Sequence, residues 1–359
     1  MISLDQTGSA IGRHVSASPG TDLRDTSAHG HAARPARIFD DPAAECASLV
    51  DAFAAATGFR KSRPLACESA DATSVLNRIH DRQQHGPVLL RGLAAAWPAL
   101  QSWDRAYLLS RWGDAPVSVA LGLPAHGVPF LVPESEFRRA LTMRAFWEEL
   151  EAGRSWIDEQ ALSTLPGLED DLRMAELMGS RPRLELNLWL GRGTKSGLHF
   201  DPMDNFLIMI RAHKFVALAS SREAARLYPF VGSIMRSQLD VERPDFVRFP
   251  RAADVEMQVG RISPGDVLYI PAGWWHYVAS PTATPHISVT CSFGRELSLP
   301  FLASRLLRLG PRHAARVIED FLLHGVMGRP CVARFHDLPN GLQLYRKLRA
   351  VWQRGAPGR

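Results

Sequence analysis

Between residues 184 and 291 the chain breaks into short apolar runs at close spacing, most of them closed by Gly or Pro, and this pattern restricts the fold more than any other feature. Leu184, Leu186, Leu188 and Leu190 alternate with Glu185, Asn187 and Trp189, the two-residue repeat of a strand with one aliphatic face. Phe206 to Ile210, Phe215 to Leu218, Val255 to Ile262, Asp266 to Ile270 and Ile287 to Cys291 follow as further strands. A series of this kind buries its apolar faces by closing into a sandwich or barrel.

On both sides the period changes. Ala43 to Thr57 and Asp71 to Gln84 have helical spacing, Pro87 to Arg91 reads as a strand, and a helical stretch holds Trp103, Tyr107 and Trp112 before a strand at Val117 to Leu121. Met143 to Glu151 is a further amphipathic helix, and Leu162 to Met178 is interrupted by Pro166 and Gly167. After Pro300 helices return over 301–309 and 312–326, broken at Gly310-Pro311, with a last one around Leu342 to Trp352. Residues 1–36 contain almost no large apolar side chain and read as a disordered leader. The expected organisation is therefore that leader, an N-terminal helical and strand segment over 37–180, a β core over 181–297 and a C-terminal helical region over 298–359.

With 46% hydrophobic and 22% charged residues, wholesale disorder and fibrous folds are excluded. No apolar run approaches the roughly 18 residues of a membrane span, and Met1 to Asp5 lead into no apolar secretion signal. A cytoplasmic protein without a membrane partner is expected. Cys46, Cys67, Cys291 and Cys331 are scattered, which indicates neither a disulfide framework nor a thiolate zinc site. The net charge of +5 arises in residues 301–359, which hold eleven Lys and Arg against three acids. The remainder is slightly acidic, so the basic balance is a weak argument for a nucleic-acid partner. Arg305, Arg308, Arg312 and Arg316 in that tail recur near helical spacing and read as a solvated face.

The chemistry concentrates in Gly197-Leu-His199-Phe-Asp201 and, 75 residues after that aspartate, in His276 at the end of Pro271-Ala-Gly-Trp-Trp-His276. Residues two apart on an extended segment point to one side, so His199 and Asp201 can converge on one metal ion. A distant imidazole would complete a set of two His and one carboxylate that leaves one face open. Alone, an H-x-D tripeptide is more often a loop His beside a turn Asp. The device Pro264-Gly265-Asp266, apolar strand, Pro271-Ala-Gly273 would hold His276 rigidly at a strand end. Lys214, one of only four lysines, enters a strand that should be half buried and so needs either an anion or solvent. Trp274 and Trp275 read as core packing or as a groove wall, and His126, His213 and His286 as structural or solvated.

Gly86-Pro-Val-Leu-Leu-Arg91, Trp112-Gly-Asp-Ala-Pro-Val117, Asn187-Leu-Trp-Leu-Gly191, Gly197-Leu-His-Phe-Asp-Pro202, Asp204-Asn-Phe206, His213-Lys214, Leu227-Tyr-Pro229 and Pro264-Gly-Asp-Val-Leu-Tyr-Ile-Pro271 with Trp274-Trp-His276 stand in an order that resembles the JmjC-type, cupin-like (cupin_8) 2-oxoglutarate oxygenases. The likeness covers about residues 86–295 and is similar to the branch of the factor-inhibiting-HIF asparaginyl hydroxylase. It implies a mainly β protein with helical flanks, a double-stranded β-helix (jelly-roll or cupin) preceded by an α/β segment and followed by helices that often pair subunits into a homodimer. It implies Fe(II) held by His199, Asp201 and His276, with O2 and 2-oxoglutarate as cosubstrates and the far carboxylate of 2-oxoglutarate on Lys214. Ser196 or Thr194 matches the hydroxyl that assists Lys214, and Asn205 a polar residue beside the chelating end. Two positions depart from the pattern: Trp156 or Ile157 falls where that branch has a tyrosine, and Thr290 where it has a second asparagine.

The activity so implied is hydroxylation of a C–H bond of an amino-acid side chain in a protein or peptide. A free small molecule, a tRNA nucleoside or an N-methyl group would undergo the same chemistry. The alternative from another class is a non-catalytic cupin-like binding module.

Overall fold

The computed structural model describes residues 46–68, 72–122, 137–153, 155–157, 160–280, 284–294, 298–331 and 338–355. The leader over 1–36 and His126 lie outside the described residues.

Helix α1 (Cys46–Thr57) leads into the short strands β1 (Lys61–Pro64) and β2 (Cys67–Glu68), then α2 (Ala72–His80) and β3 (Val88–Leu90). Pro98 opens α3 (Pro98–Ser102), and Asp104 caps α4 (Arg105–Trp112) by accepting from the Tyr107 N–H. There follow β4 (Pro116–Leu121), β5 (Arg138–Thr142), α5 (Met143–Ala152), β6 (Ser155–Ile157), β7 (Gln160–Ala161) and α6 (Met174–Met178). The core strands are β8 (Arg183–Arg192), β9 (Asp204–Arg211), β10 (Lys214–Ala219), β11 (Pro229–Phe230), β12 (Ser233–Ser237), β13 (Glu256–Ile262), β14 (Val267–Ile270), β15 (Trp275–Ala279) and β16 (His286–Phe293). Three helices close the chain: α7 (Leu299–Leu309), α8 (Pro311–Asp320) and α9 (Asn340–Gly355). The second helix expected in the tail ends at Asp320, and residues Phe321–Val326 continue it as a π turn.

Ten strands form one sheet in the order β2-β3-β14-β9-β16-β8-β6-β4-β5, with β7 beside β8, and four form another in the order β1-β13-β10-β15. Strand alternation sorts the buried side chains of most core strands into three clusters. Leu207 and Met209 of β9, Val216 and Leu218 of β10, Ile262 of β13, and Leu268 and Ile270 of β14 share one buried cluster between the two sheets. Leu186, Leu188 and Leu190 of β8 and Ile287, Val289, Cys291 and Phe293 of β16 face the opposite way, onto Trp97, Trp103, Phe146 and Trp147 of the N-terminal segment. Phe215 and Ala217 of β10 with Trp275 and Tyr277 of β15 pack outward on Phe53 and Phe59. Leu184, at the start of β8, leaves the aliphatic face at 55% exposure. This is the jelly-roll arrangement of a cupin, flanked by helices.

The Pro264-Gly265-Asp266 turn is anchored from the N-terminal segment. Asp266, nearly fully buried, accepts from Arg91 Nη1 (2.6 Å), the Gly92 N–H (3.0 Å) and the Ser263 N–H (2.9 Å). Gly265 lies at φ +88°, where a side chain would also meet the Ala95 backbone at 3.1 Å. No helix among the described residues is long and apolar enough to cross a membrane.

Candidate metal centre

His199 and His276 are brought together by the backbone. The two residues exchange both main-chain hydrogen bonds, His276 N–H to the His199 carbonyl at 2.7 Å and the reverse at 3.1 Å, so β15 pairs antiparallel with the loop carrying the first ligand. The Gly273 N–H donates to the Asp201 carbonyl at 2.9 Å, which ties the third ligand to the turn before His276. The two imidazole centroids lie 4.2 Å apart. Asp201 Oδ1 sits 3.8 Å from His199 Nε2, and Oδ2 sits 3.6 Å from His276 Nε2.

Each ring donates Nδ1–H to a carbonyl two residues back, His199 to Gly197 at 2.8 Å and His276 to Trp274 at 3.1 Å. That fixes the tautomer with both Nε2 lone pairs directed at the same point. Burial, and then the neighbouring His276, pull His199 down to about 3, so its ring is neutral at physiological pH. Burial opposes ionisation of Asp201, but the flanking imidazoles and a hydrogen bond from Asn205 outweigh it and hold the carboxyl below its usual range. One ligand atom from each residue lies within 4.8 Å of the others. Two imidazoles and one carboxylate so disposed fit a divalent first-row ion with an open side.

The open side faces a cavity of about 260 Å³ between the sheets. Its inner wall is the polar face of β8 and β16, which turns inward except at its outer end, where Glu185 is exposed. Paired register sets three rows: Trp189 opposite Ser288, Asn187 opposite Thr290, and Glu185 opposite Ser292 and, beyond it, Asn205. Ser288 and Ser292 are four residues apart, about 13 Å along the strand. Thr290 accepts from the Trp189 indole N–H at 2.8 Å and so fixes that ring in the wall.

At the deep end Lys214 is buried and donates to Ser288 Oγ at 2.7 Å. Among the described residues no carboxylate pairs with it, and burial pulls its ammonium down to about 7. The resemblance pointed to Thr194 or Ser196 for this hydroxyl. Both line the cavity, but Thr194 Oγ1 is bonded to Ser280 (2.8 Å) and His286 (3.2 Å), and Ser196 Oγ accepts from the Val278 N–H (2.9 Å). His286, expected to be structural or solvated, is buried in the same wall, and its Nδ1 has no described partner. Asn205 Oδ1 is likewise unpartnered. A buried ammonium without a described counter-ion and the orphaned His286 Nδ1, a donor when that nitrogen carries the proton, fit an anionic, oxygen-rich ligand lying between Lys214 and the triad, whereas Asn205 Oδ1 can only accept. The side chains of Trp156 and Ile157 lie outside the described residues, and His213 sits half-buried in the turn before Lys214.

Trp275 is core, fully buried, and Trp274 donates its indole N–H to the His85 carbonyl at 3.0 Å. The tail contributes a residue whose place the sequence misrepresents. Arg305, expected on a solvated face, is 3% exposed. Its guanidinium carbon lies 4.0 Å above the ring of Phe200 and 5.4 Å from that of Trp275, the neighbours of ligands His199 and His276. Nη2 donates to the Ser221 carbonyl at 3.2 Å. A desolvated cation–π contact is worth about 2 kcal/mol. Arg305→Ala is therefore expected to lower stability by about that amount in a denaturant titration and to weaken Mn(II) binding, while Arg305→Lys recovers part of both. An Arg305→Ala protein with wild-type Mn(II) affinity would show that the staple does not reach the triad.

Fold and site together define a jelly-roll protein with a facial set of two histidines and one carboxylate. The profile of the cupin-like domain family matches residues 76–296, more than half of the chain, and the chain belongs to that family, the JmjC-type group of iron(II)- and 2-oxoglutarate-dependent oxygenases. It is 34% identical over 212 residues to lysine-specific demethylase 8 of Xenopus tropicalis, covering 56% of this chain and 47% of the relative. It is 29% identical over 244 residues to lysine-specific demethylase JMJ30 of Arabidopsis thaliana, covering 63% and 55%. A shorter stretch of 88 residues is 40% identical to tRNA wybutosine-synthesizing protein 5 of Gallus gallus, covering 24% and 27%. The chain thus spans about half the length of the first two relatives.

Proposed function

We propose that the protein is an iron(II)- and 2-oxoglutarate-dependent dioxygenase that hydroxylates a C–H bond of an amino-acid side chain within a protein or peptide. One observation carries the reading: the open side of the His199, Asp201 and His276 set faces a cavity closed at its far end by Lys214, a buried cation without a described counter-ion. The three ligands would hold Fe(II), which supplies oxidative chemistry with O2 and 2-oxoglutarate. Lys214 and Ser288 bind the distal carboxylate of 2-oxoglutarate, Asn205 supports the chelating end through Asp201, and the apolar sheets exclude water.

Glu185, in the outermost row, is the one carboxylate besides Asp201 among the described residues of the cavity wall, and no described residue pairs with it. Its charge favours a cationic target side chain. Two of the relatives are named lysine-specific demethylases, which accords with such a target. A target C–H on an N-methyl group would lead to loss of the methyl, and the shorter match to a wybutosine-synthesizing protein keeps a tRNA nucleoside as the second reading.

The protein is further proposed to be a homodimer through its C-terminal helices, which expose Leu307 (83%), Ile318 (60%) and Trp352 (80%). The test is conversion of 2-oxoglutarate to succinate by the Fe(II)-loaded protein, with peptide pools and tRNA compared by mass spectrometry and the preparation sized by sedimentation. Peptide-dependent succinate with a gain of one oxygen is expected, from a dimer. No turnover together with no thermal shift by 2-oxoglutarate would instead indicate a non-catalytic module.

A further inference from the structure

The outer ends of β8, β9 and β16 serve two cavities at once. Glu185, Asn205 and Ser292 point into the metal cavity, while their chain neighbours Leu184, Asp204 and Phe293 point to the other face and line a second cavity of about 450 Å³. Each of the three strands gives adjacent residues to both, so the two cavities share one rim. The floor of the second is apolar, with Ile79 and Phe293 buried and Leu184 largely exposed.

Two guanidinium groups stand at its lip. Arg82 and Arg181 line the cavity, both are exposed, and among the described residues neither side chain has an acidic partner. Arg82 sits at φ +60°, in a turn closed by its N–H on the Ile79 carbonyl at 3.0 Å, which sets where its side chain departs. Asp204, the one carboxylate among the described lining residues, accepts on Oδ1 from the Tyr269 hydroxyl at 3.2 Å and the Ala272 N–H at 2.9 Å. Two cations therefore stand beside one anion, at the rim that this cavity shares with the metal cavity.

We infer that this second cavity docks an acidic residue of the peptide substrate, placed within a few residues of the side chain that enters the metal cavity. The inference rests on the peptide reading above and adds the flanking chemistry to it. An apolar floor under two arginines suits a carboxylate borne on a peptide, whereas a nucleic acid calls for a longer basic track along its phosphates, and residues 1–300 carry a slight net negative charge.

The test captures a pool of 12-residue peptides, with a central Lys or Arg and randomised flanks, on the full chain loaded with Mn(II) and 2-oxoglutarate at low salt. Asp and Glu are expected to be enriched about tenfold within four residues of the centre, the effect of two surface ion pairs. The enrichment is expected to vanish in Arg82→Ala/Arg181→Ala, whose melting curve serves as the control for folding. Equal recovery of acidic and neutral flanks by the wild-type chain, or enrichment that survives in the double variant, overturns the docking site. So does tighter binding of a 12-nucleotide RNA that the double variant loses. Capture requires no turnover, so a chain that selects acidic peptides yet never forms succinate would refute the oxygenase reading and leave the docking site standing.

Discussion

Asp201→Asn is expected to abolish the stabilisation of the protein by Mn(II) while leaving the metal-free melting temperature close to that of the wild type. The carboxylate lies 3.6 and 3.8 Å from the two imidazole Nε2 atoms and is the one charged member of the set. Loss of an outer-shell partner of a metal ligand costs ten- to a hundredfold in affinity, so loss of a ligand with its charge should exceed about a hundredfold. The backbone that assembles the site does not depend on this side chain. His199 and His276 still exchange their main-chain hydrogen bonds, and Gly273 still donates to the main-chain carbonyl of residue 201. Isothermal titration with Mn(II), a redox-inert probe, and thermal melts with and without it read both halves of the expectation. An Asp201→Asn protein that binds Mn(II) like the wild type would refute the triad.

Lys214→Met is expected to weaken 2-oxoglutarate binding by roughly a hundredfold, the effect of removing one partner of a buried charge pair at about 3 kcal/mol. It should also change how stability depends on pH. Burial brings the ammonium from 10.5 to about 7, so between these values the unfolded chain holds a proton that the folded, ligand-free protein has released. With more protons bound in the unfolded state, stability rises with pH through that window, and the desolvation cost is fully present below its lower edge. The melting-temperature advantage of Lys214→Met over the wild type is therefore expected to be greatest near pH 6 and to shrink towards pH 10. Binding of a dianion beside Lys214 supplies the missing counter-charge, so 2-oxoglutarate should carry a proton onto the wild-type protein at pH 8. Calorimetry in buffers of different ionisation enthalpy measures this uptake. Equal affinity of wild type and Lys214→Met for 2-oxoglutarate would remove Lys214 from the cosubstrate site.

The strands of the core were legible because their periodicity is local. Leu186, Leu188 and Leu190 announce one buried face of β8, and Val267 to Ile270 stand between two turns whose Pro, Gly and Asp have their own conformational reasons. Strands such as β12 and β15 were missed: Ser233–Ser237 has little apolar content, and Trp275–Ala279 hides behind the ligand motif. His199 and Asp201 could be read from a spacing of two, and His276 from the turn that delivers it. Trp189, Glu185 and Ser292 could not be recognised as cavity residues, since a polar strand face looks the same whether it meets water or an internal pocket.

By itself the sequence determined the class of fold, picked out three side chains that the structure brings within 4.8 Å of one another, and marked one lysine entering a strand that should be half buried. Only the tertiary structure decided which hydroxyl meets that lysine, where His286 belongs, and that Arg305 leaves the solvent for the rings of Phe200 and Trp275. Lys214 and Ser288 are 74 residues apart, and Arg305 and Ser221 are 84. Contacts at such separations follow from strand register and from how the last helices fold back on the sheet, and no local period along the chain encodes either.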